Sequence, residues 1–329
     1  MLNETYDIDD LFKTEVSQAF GVPSFFSAVP TFNNTYEGGI GTGSELAQLK
    51  NFVISSRLIT VKVGENIQEA LDKLGEQGGG GTVVLLSGTH KPNSSLIVPS
   101  NVALVGEGIG NTIIDFNVQA YYLRFEGTAR TVGGTGVTIT EGGTTVTGVG
   151  GTTFLTDIAA NDIVFILSTT SGGWGEVSSI ESDTSLTLKK AWPYPTVTNF
   201  SVSIFKPNSN CALKNLTVTN ASSGGNGAIS IKYALNFLME NVLSTSNDAI
   251  GINVSTILNS EFRNVESSYN GDALIEDGFD LTYIKRVSFY SCSSLGNAGK
   301  GFDVNVSFVS EGNAFYSCFA EGNTGDGFT

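Results

Sequence analysis

The sequence predicts an all-β chain built mainly as a parallel β-helix, and three observations carry that expectation. The tetrapeptide FYSC occurs at 289–292 and again at 315–318, a step of 26 residues. The composition suits strands and turns, with 40% hydrophobic residues, 40 glycines and only 7 prolines. The segments NGAI, NDAI, EDGF, GKGF and GDGF recur through 209–329, and aligning Ile229, Ile250, Phe279, Phe302 and Phe328 gives steps of 21, 29, 23 and 26. Such a period is too short for a propeller blade and too rich in strand formers for a helical solenoid. It suits one turn of a parallel β-helix, where like residues stack at about 4.8 Å.

The elements are taken in chain order. Residues 1–58 mix acidic residues, aromatics, asparagines and glycines without a repeat, and are read as a leader that attaches the chain to a larger particle or forms an extra cap. Residues 59–126 open the solenoid. Ile67, Ala70, Leu71 and Leu74 fall on one face of a short helix ended by the glycines at 78–81, and the strands TVVLL, SLIV and VALVGE come next. A helix there covers the open end of a solenoid, which otherwise exposes core and unpaired strand edges. Residues 127–205 break the period with short alternating strands and Gly or Asp turns, as expected of a small barrel or sandwich inserted at a corner. Residues 206–329 return to the repeat and stop at GDGFT in mid-turn, as in the front portion of a longer chain or one whose end a partner covers.

The stretch NIQEALDKLGEQGGGGTVVLLSGTH, then LIVPSNVALVGEG and TIID, resembles the start of the pectate-lyase-like family of right-handed parallel β-helix proteins. The resemblance covers about 60–125 by motif and 206–329 by repeat pattern. That family includes polysaccharide lyases, glycoside hydrolases, epimerases and bacteriophage tailspikes, so it implies architecture more than chemistry. TTVTGVGGTTFLTDIAANDIVFI with VSSIESDTSLTL is similar to small β modules of phage virion proteins.

Charge and residue counts exclude several functions. A net charge of −15 repels nucleic acid and anionic membranes, and no apolar run is long enough to span a bilayer. The acidic start lacks the basic end and apolar run of a secretory signal. Cys211, Cys292 and Cys318 read as buried free thiols, with the last two in one interior column. The single histidine, His90, reads as a satisfied surface group and sets aside serine-triad and zinc chemistry.

Alternation from the aligned column points Ser230, Gly251, Asp280 and Asp303 outward, with Lys232, Asn253, Thr282 and Asn305 beside them. Asp280 and Asp303 then lie about 4.8 Å apart on adjacent turns, close to the roughly 5–5.5 Å carboxyl separation of retaining glycosidases. They are candidate catalytic acids or a Ca²⁺ site, with ordinary surface decoration as the competing reading. The extra piece GDALIE brings Asp272, Glu276 and Asp277 as alternatives in the same site. Lys300, at a turn near Asp303, is the candidate base of a lyase. SNDAIGI resembles the paired-aspartate motif of polygalacturonases, but Asn247 replaces its first aspartate and no GHG comes after it. Among the aromatics in or beside the insert, including Tyr121 and Tyr122, the candidates for stacking on sugars are Trp174, Trp192 and Tyr194.

The function these readings favour is a tailspike or tail-fibre component of a virion, homotrimeric by analogy. It binds a host surface polysaccharide, cleaves it if the acidic pair is catalytic, and joins other virion proteins through its leader. No resident cofactor is expected beyond that Ca²⁺. The alternatives are a free, extracellular polysaccharide lyase or glycoside hydrolase, and a structural β-helix or adhesin without activity.

Overall fold

In the computed structural model the described residues are 57–329, apart from 77–78, 135, 167–171, 223–225, 272–275 and 306–311. The leader assigned to 1–58 therefore falls almost wholly outside them. The chain is a parallel β-helix of about nine turns, with a capping helix and an inserted β module.

Three walls of parallel strands enclose the core. On the first, Ile59, Val83, Leu104, Leu213, Met239, Phe262, Phe289 and Phe315 pair in sequence from turn to turn. On the second the column is His90, Ile114, Val218, Ser244, Ser267, Ser294 and Ala320. On the third it is Leu96, Leu123, Ile229, Ile252, Phe279, Phe302 and Phe328. Phe289 stacks on Phe315 with ring centroids 4.6 Å apart, which is the stacking that the FYSC repeat predicts.

The third wall corrects one step of the sequence register. Ile252, not Ile250, pairs with both Ile229 and Phe279, so the outward residue below Asp280 is Asn253 rather than Gly251, and Ser255 rather than Asn253 lies beside it. The two isoleucines are two residues apart and share a strand phase, so either satisfies inward alternation. What decides between them is a polar ladder. Asn247, Asn270 and Asn297 are buried, and each donates its Nδ2 to the Oδ1 of the asparagine one turn on, at 2.8, 3.0 and 2.9 Å, ending at Asn323. Each Oδ1 also accepts a backbone N–H from the preceding turn. Beside them, Ser244, Ser267 and Ser294 donate to the carbonyls of Gly251, Gly278 and Gly301. A Cβ on Gly278 would collide with Ser294 Oγ and Asn297 Nδ2, so the residue before each inward Ile252, Phe279 and Phe302 has to be glycine.

The corners are single left-handed residues. Asn215, Asn241 and Asn264 occupy one corner with φ of 56°, 53° and 50°, a conformation that asparagine tolerates better than most residues. Their side chains form an outer ladder at 3.1 and 2.8 Å.

The helix Ile67–Glu76 buries Ile67, Ala70, Leu71 and Leu74 on the first turn. Asn66 caps its start by accepting the Glu69 N–H at 3.3 Å. Gln68 acts as a surrogate strand: its Nε2 donates to Ile97 O at 3.1 Å and its Oε1 accepts the Ile97 N–H at 2.7 Å. The backbone groups of an open edge are thereby paired.

The insert is an eight-stranded antiparallel sheet around Val137, Ile139, Val146, Phe154, Leu186 and Trp192. Its first strand, Thr128–Arg130, pairs with its last, Ser203–Lys206, so it leaves and re-enters the solenoid at one point. Gly127 is the exit, where a Cβ would strike Lys206 O and Tyr233 O. The strand Ile163–Ile166 is buried at every residue because Val164 and Ile166 face the module core while Ile163 and Phe165 pack on Leu235 and Leu258 of the third wall. His90, expected at the surface, is 1% exposed and its Nε2 donates to Leu86 O at 2.9 Å. Its place in the second-wall column outweighs its polarity.

Replacing the central rung of the ladder, Asn270→Ala, strands the donors and acceptors of both neighbouring asparagines in the core. The expected loss is about 2–4 kcal/mol, read from the denaturation midpoint at unchanged slope. A loss under about 0.5 kcal/mol would mean that the ladder does not hold the turns together.

Candidate functional site

The outer surface of the third wall carries two adjacent polar columns. The first is Arg124, Ser230, Asn253, Asp280 and Asp303. The second is Glu126, Lys232, Ser255, Thr282 and Asn305. Both arise because the inward positions between them, such as Val254 and Leu281, must be apolar. Past these columns the wall bends at Tyr233, Thr256 and Tyr283, which have φ of 51°, 56° and 55°. Beyond the bend the module covers Leu235 and Leu258, so the polar strip runs along its edge.

Asp280 and Asp303 are register partners on adjacent turns, as expected from the sequence. Their environments differ. Burial pushes the Asp280 carboxyl above its ordinary value, and the Asp303 charge adds to that push; the Thr282 hydroxyl donates to it at 3.4 Å. Asp303 instead pairs with Lys300 Nζ at 3.0 Å and accepts the Thr329 hydroxyl at 2.9 Å. That ion pair raises the Lys300 pKa in turn. Asp277 is 9% exposed and accepts the Lys300 backbone N–H at 2.6 Å. Its carboxyl is pushed up by burial first and then by Asp303 and Asp280.

Asp277, Asp280, Asp303 and Lys300 thus form one electrostatic group. Glu276 is half-buried at the preceding turn, where its carbonyl accepts the Gly299 N–H. Asp272 lies outside the described residues. Among the described residues no three acidic, histidine or cysteine side chains converge as metal ligands, so the geometry lends the Ca²⁺ reading no ligand set.

The aromatic candidates divide. Trp192 is fully buried in the module core, edge-on to Tyr194 at 5.0 Å, and Tyr194 is itself 7% exposed. Neither offers a face to a sugar, because a small sheet of this kind needs its largest rings inside. Trp174 is half-buried at the seam, with Arg286 over its ring at 5.8 Å. Lys285, 3% exposed, points its ammonium at Phe165 and Tyr194 from 5.5 and 5.2 Å. It fastens the module to the wall rather than serving the acidic group.

Arg124 and Glu126 escaped the sequence reading, which has Ser230 as an outward residue but gives it no partner. Arg124 pairs with Glu126 at 2.5 Å and lies over the Tyr122 ring at 5.4 Å, while the Ser230 hydroxyl donates to Glu126 at 2.8 Å. The turns that hold Arg124 and Ser230 are separated in sequence by the whole insert, so no local spacing relates them.

No protein-family profile matches the sequence, and no curated protein matches it. Among solved structures, the chain is similar to the tailspike of Acinetobacter baumannii bacteriophage AP22, determined with an A. baumannii capsular saccharide. The TM-score is 0.52 at 16% identity over 77% of this chain and 44% of that one. It is similar also to the gp61 tailspike of Pseudomonas phage phi297, with a TM-score of 0.52 at 14% identity over 76% of this chain and 40% of that one. At this identity the likeness is one of fold, and the chain spans less than half the length of either.

A carboxyl whose pKa is raised by folding stabilises the fold fully only below its ordinary value, about 3.8, and that contribution is lost as pH rises through the raised value. Asp280→Asn is therefore expected to raise the melting temperature at pH 7, by an amount that shrinks to zero toward pH 3. Asp303→Asn, which loses the Lys300 pair, is expected to lower it at pH 7. Thermal melts of both variants across this range check the signs, and a drop for Asp280→Asn at pH 7 would contradict the assignment.

Proposed function

We propose that the chain is the polysaccharide-engaging part of a tailspike- or tail-fibre-like virion protein, and that it cleaves its glycan hydrolytically along the third wall. The observation that carries this is the asymmetric pair. Asp280, held protonated to higher pH by burial, takes the role of general acid, while Asp303, paired with Lys300, takes that of the carboxylate partner. Two carboxyl groups on adjacent turns repel each other, which a purely structural surface avoids. The strip from Arg124 to Asn305 supplies hydroxyl, amide and charged groups of the kind that bind sugar hydroxyls. The saccharide seen with the AP22 tailspike shows that one protein of this fold takes a capsular glycan, and we extend that ligand class to this chain. In the same reading the active assembly is a homotrimer on the virion, with residues 1–58 toward the particle.

A second reading, a glycan-binding protein without turnover, is favoured by Asp303 being satisfied already by Lys300 and Thr329. A panel of bacterial capsular, O-antigen and pectic polysaccharides separates the two. New reducing ends without ultraviolet absorbance, reduced about 10²–10⁴-fold in Asp280→Asn and Asp303→Asn, support hydrolysis at this pair. Absorbance of unsaturated products would replace hydrolysis with elimination. Retention of one polysaccharide with no cleavage would establish the second reading.

A further inference from the structure

Cys292 and Cys318 occupy consecutive places of an interior corner column that Leu216, Val242 and Val265 fill below. Tyr290 pairs with Tyr316 and Ser293 with Phe319, so the cysteines between them are in register on consecutive turns. In-register neighbours in a parallel sheet lie about 4.8 Å apart, inside the roughly 4.4–6.8 Å range of Cα separations that a disulfide bridges. Their surroundings repeat as well. Cys292 Sγ donates to Phe262 O and Tyr290 O at 3.6 and 3.5 Å; Cys318 Sγ donates to Phe289 O and Tyr316 O at 3.5 and 3.6 Å. Both are free thiols, the first fully buried and the second partly exposed.

We propose that Cys292 and Cys318 form a redox-responsive pair that closes into a turn-to-turn disulfide when a disulfide oxidant such as oxidised glutathione is supplied. The Cys318 thiolate attacks one glutathione sulfur, breaking the glutathione disulfide and releasing one glutathione thiolate. Cys292 then gives its proton to solvent and attacks the Cys318 sulfur, expelling the second glutathione. The two thiols lose two electrons, which the glutathione disulfide takes, and the two released protons match its two thiols. The direction of attack follows from the pair itself. The neighbouring Cys292 thiol holds Cys318 down to about 7, and the same proximity, with burial, pushes Cys292 up. Cys211, fully buried and pushed up to about 12, stays outside the exchange. A closed pair ties together two consecutive turns.

The test is incubation of the native 329-residue chain with oxidised glutathione at pH 8, and then intact mass and non-reducing peptide mapping. The expected product has lost two hydrogens, carries a Cys292–Cys318 cross-link and keeps one titratable thiol. Cys292→Ser, which cannot close the ring, is expected to retain one glutathione on Cys318. A stable glutathione adduct on Cys318 of the native chain would overturn the proposal, as would three thiols still free after a treatment that fully modifies Cys318 in Cys292→Ser.

Discussion

The constraint on which the rest of the structure depends is in-register stacking: whatever occupies a position in one turn lies about 4.8 Å from its counterpart in the next. Apolar side chains meet it cheaply. Phe279, Phe302 and Phe328 stack at 4.5 and 4.6 Å within 10° of parallel, and the Phe289–Phe315 stack meets Phe302 edge-on at 5.9 Å. Buried polar groups meet it only if they can donate and accept at once, which an amide does and a carboxylate does not. This is why the inner polar column is asparagine, from Asn247 to Asn323.

The same geometry turns surface carboxylates into a cost. Asp303 above Asp280 brings like charges together, and Asp277 adds a third near the same lysine. An outward position accepts almost any polar residue, as Ser230 and Asn253 do lower in the column. Acids at the two adjacent turns, with Asp280 desolvated, are therefore a departure that stability does not explain. The insert contributes by position: its Ile163 and Phe165 cover Leu235 and Leu258, leaving the polar strip open along its edge.

Much of the fold was legible because repetition repeats chemistry. FYSC, the Phe279 and Phe302 column and the Asp280–Asp303 pair were readable from spacing alone, as was the helix face Ile67, Ala70, Leu71 and Leu74. The one-step slip at Ile250 came from two candidates of equal phase, and the Asn247–Asn270–Asn297 spacing would have resolved it. Burial of His90 and Trp192, and the Arg124–Glu126–Ser230 group, were not legible, since they depend on what another turn or the module lays against them. Sequence gives a residue type at a position, and only the neighbouring turn decides whether it is covered.

The most direct test of the central claim, that stacking couples Asp280 to Asp303, is a double-mutant cycle of Asp280→Asn and Asp303→Asn, with unfolding free energies measured at pH 7 and pH 3. The account predicts non-additivity above about 0.5 kcal/mol at pH 7, Asp280→Asn stabilising less once the Asp303 charge is gone, and a smaller departure from additivity at pH 3, below the ordinary value of the Asp280 carboxyl, about 3.8. Additivity at both pH values would mean that the two carboxyls do not sense each other, and would contradict both the register and the site built on it.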